Sequence, residues 1–248
     1  VLTEIKQTMR RFYDSASARY GERDEGVRQR FHNALELAWL DPLNFSGKSI
    51  LDAGTGACRL PQYLTKRRQS HRLCCGVDLS YEMLRIAARR APSGTVLLQC
   101  DAENLPFADA SFSFIVCLGL FEYVADLRPF LREFFRVLAP AGQLLFTCRN
   151  RDRWSEFAGG NYPVAYHDSA SILHAISGSG LELLQRATIY HLEGRWIWAL
   201  ARIARPLGAD SRLVEFAIAA NRFLQRTRCT AAHGKTHLVL AQRRQDRD

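Results

Sequence analysis

Short, nearly continuous apolar runs alternate with stretches of helical periodicity through most of this chain. The runs are 48–53 (KSILDA), 73–78 (LCCGVD), 95–100 (TVLLQC), 112–118 (FSFIVCL) and 142–148 (GQLLFTC), and helices are predicted between them at 57–69, 80–90 and 126–138. Strands without polar alternation, separated by helices, are the mark of a parallel sheet covered on both faces. Two helices precede the first strand. One covers 3–20, with Ile5, Met9, Phe12 and Ala16 at helical spacing, and the other covers 25–40, with Val27, Phe31, Leu35, Leu37 and Leu40 before a stop at Asp41–Pro42. Beyond the fifth strand a helix at 169–178, a strand at 181–191, a helical Arg-rich stretch at 193–228 and a last strand at 236–242 are predicted. The pattern reads as α/β and as one domain over 1–248. Its parts are a helical cap (1–47), a core (48–150), a loop, helix and strand (151–192), a helical insertion (193–235) and a last strand with its tail (236–248).

The predicted strand ends carry the chemistry. The first closes in Asp52-Ala53-Gly54-Thr55-Gly56-Ala57-Cys58. Two glycines in a strand-to-helix turn let a ligand approach the backbone closely, and amides at the next helix start favour negative charge. A dinucleotide fingerprint would need glycine at position 59, which is Arg, and Asp52 would repel a pyrophosphate. The second strand ends in Asp78, placed to accept both hydroxyls of a ribose, and Ser80 caps the following helix with Met83 one turn on. The third ends in Cys100-Asp101-Ala102-Glu103. Three acidic strand ends beside a glycine turn point to a ligand site at the carboxyl edge of the sheet, where open α/β sheets bind.

From Lys48 to Cys148 the chain resembles the class I S-adenosylmethionine-dependent methyltransferases, within them the small-molecule type-11 group. LDAGTGACRL is similar to the family's first motif and GVDLS to its ribose-binding second. CDAENLPFADASFSFIVC is similar to the third motif and fourth strand, and FLREFFRVLAPAGQLLFT to the helix, turn and fifth strand that follow. The resemblance implies a Rossmann-like seven-stranded sheet, mostly parallel with the last strand antiparallel. It implies S-adenosyl-L-methionine as methyl donor, with S-adenosyl-L-homocysteine as product. By the same resemblance Asp52, Ala53, Gly54 and Gly56 border the methionine moiety, Asp78 binds the ribose, and Leu79 and Met83 flank the adenine. Asp101 accepts from the adenine amino group beside Ala102 and Glu103, Leu118 and Gly119 lie by the sulfonium, and Tyr20 covers the methionine end. Two departures stand out: Cys58 replaces the usual third glycine, and Ser113 the usual acidic residue at the start of strand four.

Methyl transfer from a sulfonium needs in-line positioning more than a strong base, but a hydroxyl acceptor gains from one. His167 is the first candidate for that base and Tyr166 for a positioning group, with Glu122 and Tyr123 next. The acceptor reads as a small molecule. No (Asn/Asp)-Pro-Pro-aromatic motif follows strand four, and Cys117 lacks the preceding proline of pyrimidine C5 methylation, the residue there being Val116. A fold relative that binds without catalysis, and an RNA methyltransferase using the basic C-terminal part, are the competing readings.

Charge narrows that choice. The formal net charge is +9, but residues 193–248 hold eleven basic and five acidic side chains, so two thirds of the excess lies there and a nucleic-acid partner is disfavoured. In 193–228 seven arginines interleave with Trp196, Trp198, Phe216 and Phe223, which fits a lid over a bulky hydrophobic acceptor. It fits equally a contact with anionic membrane, or helices packed on the domain or on a second copy. Seven cysteines without a CxxC pair, five of them in or beside strand-like runs, read as core residues rather than metal ligands or disulfides. With no signal-like apolar N-terminal run and no membrane-length run, the chain is expected to be cytoplasmic.

Overall fold

Seven strands line up in the order β3-β2-β1-β4-β5-β7-β6. They are β1 (Ser49–Ala53), β2 (Leu73–Asp78), β3 (Thr95–Gln99), β4 (Phe112–Cys117), β5 (Leu138–Arg149), β6 (Leu181–Ile189) and β7 (Thr236–Arg243). Strands β1 to β5 pair in parallel, and β7 runs antiparallel to both β5 and β6. This is the Rossmann-like seven-stranded sheet, with the last strand antiparallel, that the sequence resemblance implies. The helices are α1 (Glu4–Gly21), α2 (Val27–Leu37), α3 (Arg59–Lys66), α4 (Tyr81–Arg90), α5 (Arg128–Val137) and α6 (Ser169–Ser177). The computed structural model describes residues 3–21, 27–151, 164–189 and 234–244, with helical residues 212, 215, 216 and 218–220; the side chains of 18–21 and 27–30 lie outside that set. Most of the predicted helical stretch 193–228, with the end of the sixth strand at His191, therefore falls outside the described residues. Among the described residues no helix is long and apolar enough to cross a membrane.

Alternate residues of the central strands feed two separate cores. Leu51, Cys75, Ile115, Cys117 and Phe146 join α5 and α6 on one side, while Ile50, Cys74, Phe114, Val116 and Leu145 join α2 and α3 on the other. The adjacent Cys74 and Cys75 point to opposite faces, as the two-residue period of a strand requires, and the described cysteines are free thiols. Ile218, from the predicted insertion, packs against the α2 and α3 side.

Two predicted boundaries move for physical reasons. Strand β5 begins at Leu138 rather than 142, because Leu138 pairs with Phe112 before an irregularity lets Gln143 resume opposite Phe114. Arg243 of β7 then donates to the carbonyls of Phe135 and Leu138 at 3.1 and 2.7 Å, satisfying acceptors that the end of α5 leaves open. The inward face of α1 also differs from expectation. Met9 and Ala16 are buried, but Ile5 is 54% exposed, and the partly buried Lys6 beside it meets Asp101 and Glu103.

One side chain couples the first core to the carboxyl rim of the sheet. Phe121, in a 3-10 turn (Phe121–Tyr123) just past β4, is fully buried against Phe130, Phe134 and Phe146, with centroids 5.5, 6.1 and 5.2 Å away. Truncation to alanine leaves a cavity beneath that turn. Phe121→Ala is expected to lower the unfolding free energy by about 3–5 kcal/mol, measured by urea unfolding; a change below about 1 kcal/mol would show that the cluster repacks.

Candidate active site

The carboxyl ends of β1 to β4 converge on one rim. At the end of β1 the chain turns through left-handed conformations at Gly54 (φ +75°) and Gly56 (φ +53°), and a side chain on Gly54 would meet Leu120 at 3.0 Å. Cys58, in the usual glycine position, adopts the same region at φ +66° as the residue preceding α3, a conformation costing roughly 1–2 kcal/mol for a residue with a Cβ. The amides of Gly54 and Thr55 both donate to the Val77 carbonyl at 2.9 Å. Thr55 Oγ1 donates to Asp52 Oδ2 at 2.7 Å, in space that exists because β2 carries Gly76 opposite; a Cβ there would lie 2.8 Å from that oxygen. Ala53 and Asp52 are buried. Burial pushes the Asp52 carboxyl up to about 6, against the opposing pull of the Thr55 hydrogen bond and the Arg59 charge.

Asp78 ends β2 with both carboxylate oxygens in use. Oδ2 accepts from the Gly56 amide and Oδ1 from the Ser80 amide, each at 2.9 Å. A carboxylate offers about four lone-pair directions, more than these two amides occupy. Burial raises the Asp78 carboxyl above its ordinary range. The Leu79 carbonyl accepts from Gln99 at 3.0 Å. Ser80 caps α4 by accepting from the Met83 amide and donates its own hydroxyl to Asp14 of α1 at 2.5 Å. The Met83 methyl lies 3.6 Å from where a Cβ on Gly56 would stand. At the third strand end Asp101 Oδ1 accepts from the Glu103 amide at 3.0 Å, Lys6 bridges Asp101 and Glu103, and Ala102 is buried between them.

The rim beyond β4 is polar. The Leu118 carbonyl accepts from Arg59 at 2.9 Å, and the Gly119 amide donates to Thr147 Oγ1 at 2.9 Å. Arg59 also donates to Glu36 at 2.5 Å and Asn33 at 2.8 Å, joining α2 to the start of α3 and the end of β4. Sequence reasoning missed these three. Asn33 and Glu36 are buried polar residues three apart on a helix otherwise read by its apolar positions, and that pairing was the available signal. Glu122 is held by Arg149 through two bonds at 2.9 and 2.8 Å, and burial raises its carboxyl despite that charge. Tyr166 is hydrogen-bonded to Arg149.

Of the two residues expected to serve the acceptor, Tyr166 thus joins the Glu122–Arg149 pair, while His167 does something else. His167 is only 5% exposed, and its Nε2 is 2.8 Å from the Val124 carbonyl, with burial lowering its affinity for a proton. Its amide donates to the Arg149 carbonyl. The ring's hydrogen bonds thus go to the backbone of the turn after β4. The remaining candidates Asp52, Ala53, Gly54, Gly56, Asp78, Leu79, Met83, Asp101, Ala102, Glu103, Leu118 and Gly119 come together at the ends of β1 to β4. Tyr20 lies in the last turn of α1, with its side chain outside the described set.

Residues 51–146 match a family model described as a methyltransferase domain. Demethylmenaquinone methyltransferase of Thermotoga maritima is 38% identical over 103 residues, covering 42% of this chain and 44% of that protein. Ubiquinone biosynthesis O-methyltransferase of Pseudomonas fluorescens is 29% identical over 128 residues, 48% of this chain and 53% of that one. The chain thus spans about half the length of these relatives. In fold, it resembles geranyl diphosphate C-methyltransferase of Streptomyces coelicolor, solved with Mg2+, geranyl diphosphate and S-adenosyl-L-homocysteine. The TM-score is 0.66 at 17% identity, over 97% of this chain and 98% of that one.

The buried Asp52 carboxyl sets a pH dependence. Its folded value, about 6, lies above the ordinary 3.8, so the native state holds a proton that the unfolded chain releases across that interval. Stability therefore falls as pH rises through the window, by about 2–3 kcal/mol at most. Asp52→Asn keeps an acceptor for Thr55 and lacks the titration. Its advantage over the parent is expected to grow between pH 4 and pH 7 in urea unfolding, and an advantage equal at both would contradict the assignment.

Proposed function

Residues 51–146 form a class I S-adenosylmethionine-dependent methyltransferase domain, and on that premise we propose that the chain transfers a methyl group from S-adenosylmethionine to a small, hydrophobic acceptor. The observation that carries the reading is the Asp78 carboxylate, oriented by the Gly56 and Ser80 amides at the end of β2, beside a glycine turn in which a Cβ on Gly54 would meet Leu120.

The residues on the rim fit the donor. Asp78 takes the ribose hydroxyls. Leu79 and Met83 flank the adenine, Asp101 accepts from its amino group, the Ala102 amide meets the ring, and Glu103 completes that corner. Gly54 and Gly56 admit the methionine portion, and Asp52 and Ala53 form the floor beneath it. Leu118 and Gly119 border the reacting centre. When bound, the donor supplies a methyl group on a good leaving group, so the protein's task is alignment and exclusion of water.

On the acceptor side Glu122 is our candidate to take a proton from a hydroxyl or activated carbon acid. It stands in the turn next to Gly119, and burial lifts its carboxyl toward the range useful for proton transfer. Arg149 fixes one of its oxygens and Tyr166 braces Arg149. His167 acts as a positioning residue by holding the Val124 carbonyl and, with it, the turn that carries Glu122. Relatives named for demethylmenaquinone and for ubiquinone biosynthesis support a hydrophobic acceptor of this kind.

Two measurements check these assignments. Calorimetry is expected to give micromolar-range binding of S-adenosylhomocysteine, with Asp78→Ala or Gly54→Val weakening it at least a hundredfold; no binding by the parent protein would refute the reading. His167→Phe is expected to cost about 1–3 kcal/mol of stability by leaving a buried carbonyl without its donor, while the affinity for S-adenosylhomocysteine changes less than twofold. A tenfold loss of affinity without destabilisation would instead put the imidazole in the ligand site.

A further inference from the structure

Helix α1 crosses the rim and is fastened at two strand ends. Near its start, Lys6 Nζ lies 2.6 Å from Asp101 Oδ2, 2.7 Å from Glu103 Oε2 and 5.5 Å from the centre of the Phe130 ring. Two turns later Asp14 accepts from Ser80, the residue that caps α4 beside Asp78. Tyr13 meets Tyr123 edge to face at 5.7 Å. The helix therefore spans the rim from the third strand end to the second and reaches the turn after β4.

Apolar docking does not account for the inward turn of Lys6, since the neighbouring Ile5 is left in solvent. The carboxylates account for it. Asp101 and Glu103 stand two residues apart, and an ammonium with three donors satisfies both at once. The side chains of Lys6 and Asp101 are only 17% and 18% exposed, so the pair is better shielded than the surface ion pairs that contribute little. With Glu103's amide on one oxygen of Asp101 and Lys6 on the other, that carboxylate cannot rotate freely.

We propose that Lys6 is a positioning residue for the methyl donor: it straps α1 across the rim and fixes the Asp101 carboxylate in the orientation that receives the adenine amino group. This rests on the methyl-donor reading above for the role of Asp101, and on the structure alone for the strap. On this proposal the Lys6 bridge sets how long a ligand stays and how strictly a 6-amino purine is preferred.

The test compares Lys6→Met, which keeps the stem and removes the charge, with Lys6→Arg, which keeps the charge. Amide hydrogen exchange over residues 5–16 of the ligand-free protein reads the strap. Stopped-flow release and equilibrium affinity, using S-adenosylhomocysteine and its 6-oxo analogue S-inosylhomocysteine, read the positioning. Lys6→Met is expected to speed exchange and S-adenosylhomocysteine release at least fivefold. It should also lower the preference for the 6-amino ligand at least threefold, with Lys6→Arg restoring each to within twofold of the parent. Exchange unchanged in Lys6→Met would overturn the strap. Equal weakening of both ligands would overturn action through Asp101. A parent protein that binds neither ligand would refute the methyl-donor reading and with it the positioning role, while the exchange result would still decide the strap.

Discussion

Asp78 accepts hydrogen bonds from two amides that belong to different turns, Gly56 after β1 and Ser80 before α4. Charge-assisted bonds of this kind are stronger than neutral ones, and here they join parts of the rim that the sheet itself leaves independent. Parallel strands fix where β1 and β2 end but not how the loops beyond them lie. The Gly56 amide must point at β2 for the left-handed turn to close, and the Ser80 amide must do the same for α4 to start where it does. Thr55 seated against Gly76 and the Met83 methyl beside Gly56 follow from that closure.

A second constraint comes from beneath. The Phe121 ring is embedded among Phe130, Phe134 and Phe146, while the next residue, Glu122, belongs to the polar rim. Core packing thereby sets the height of a charged side chain above the sheet. On the other face Arg59 does the corresponding work with polar bonds, holding Glu36 and Asn33 of α2 and the carbonyl of Leu118. A partly buried ion pair of this type is poor evidence of net stability, because desolvation offsets much of its attraction. What it supplies is register between α2 and the end of β4.

The sheet and the acidic strand ends were legible in the chain because each rests on a short-range signal: continuous apolar runs for strands covered on both faces, and a carboxylate within two residues of the end of three of them. Residues whose partners are distant in sequence were harder to read. Arg59 appeared only as a break in a dinucleotide fingerprint, since nothing nearby announces bonds to Glu36 and Leu118. Helical periodicity put Ile5 inward and left Lys6 outside, because an apolar stripe does not register the carboxylates the helix will face. His167 was placed on the correct rim by its position after β5, yet which way its ring turns depends on the Val124 carbonyl, forty-three residues away in sequence.

Arg243 shows how late in synthesis this architecture is completed. Its guanidinium closes off the carbonyls at the end of α5 from a residue more than a hundred positions further along the chain. As the polypeptide leaves the ribosome, the first five strands and their helices can assemble while those acceptors are still served only by water. β5 meanwhile presents an open edge that β7 will later cover. Contacts of such long sequence separation slow folding, and an uncovered edge strand invites pairing with another chain. The nascent domain thus passes through an interval in which its cofactor-facing half is shaped but its sheet is unfinished, and holding that intermediate apart from its neighbours falls to the translating cell.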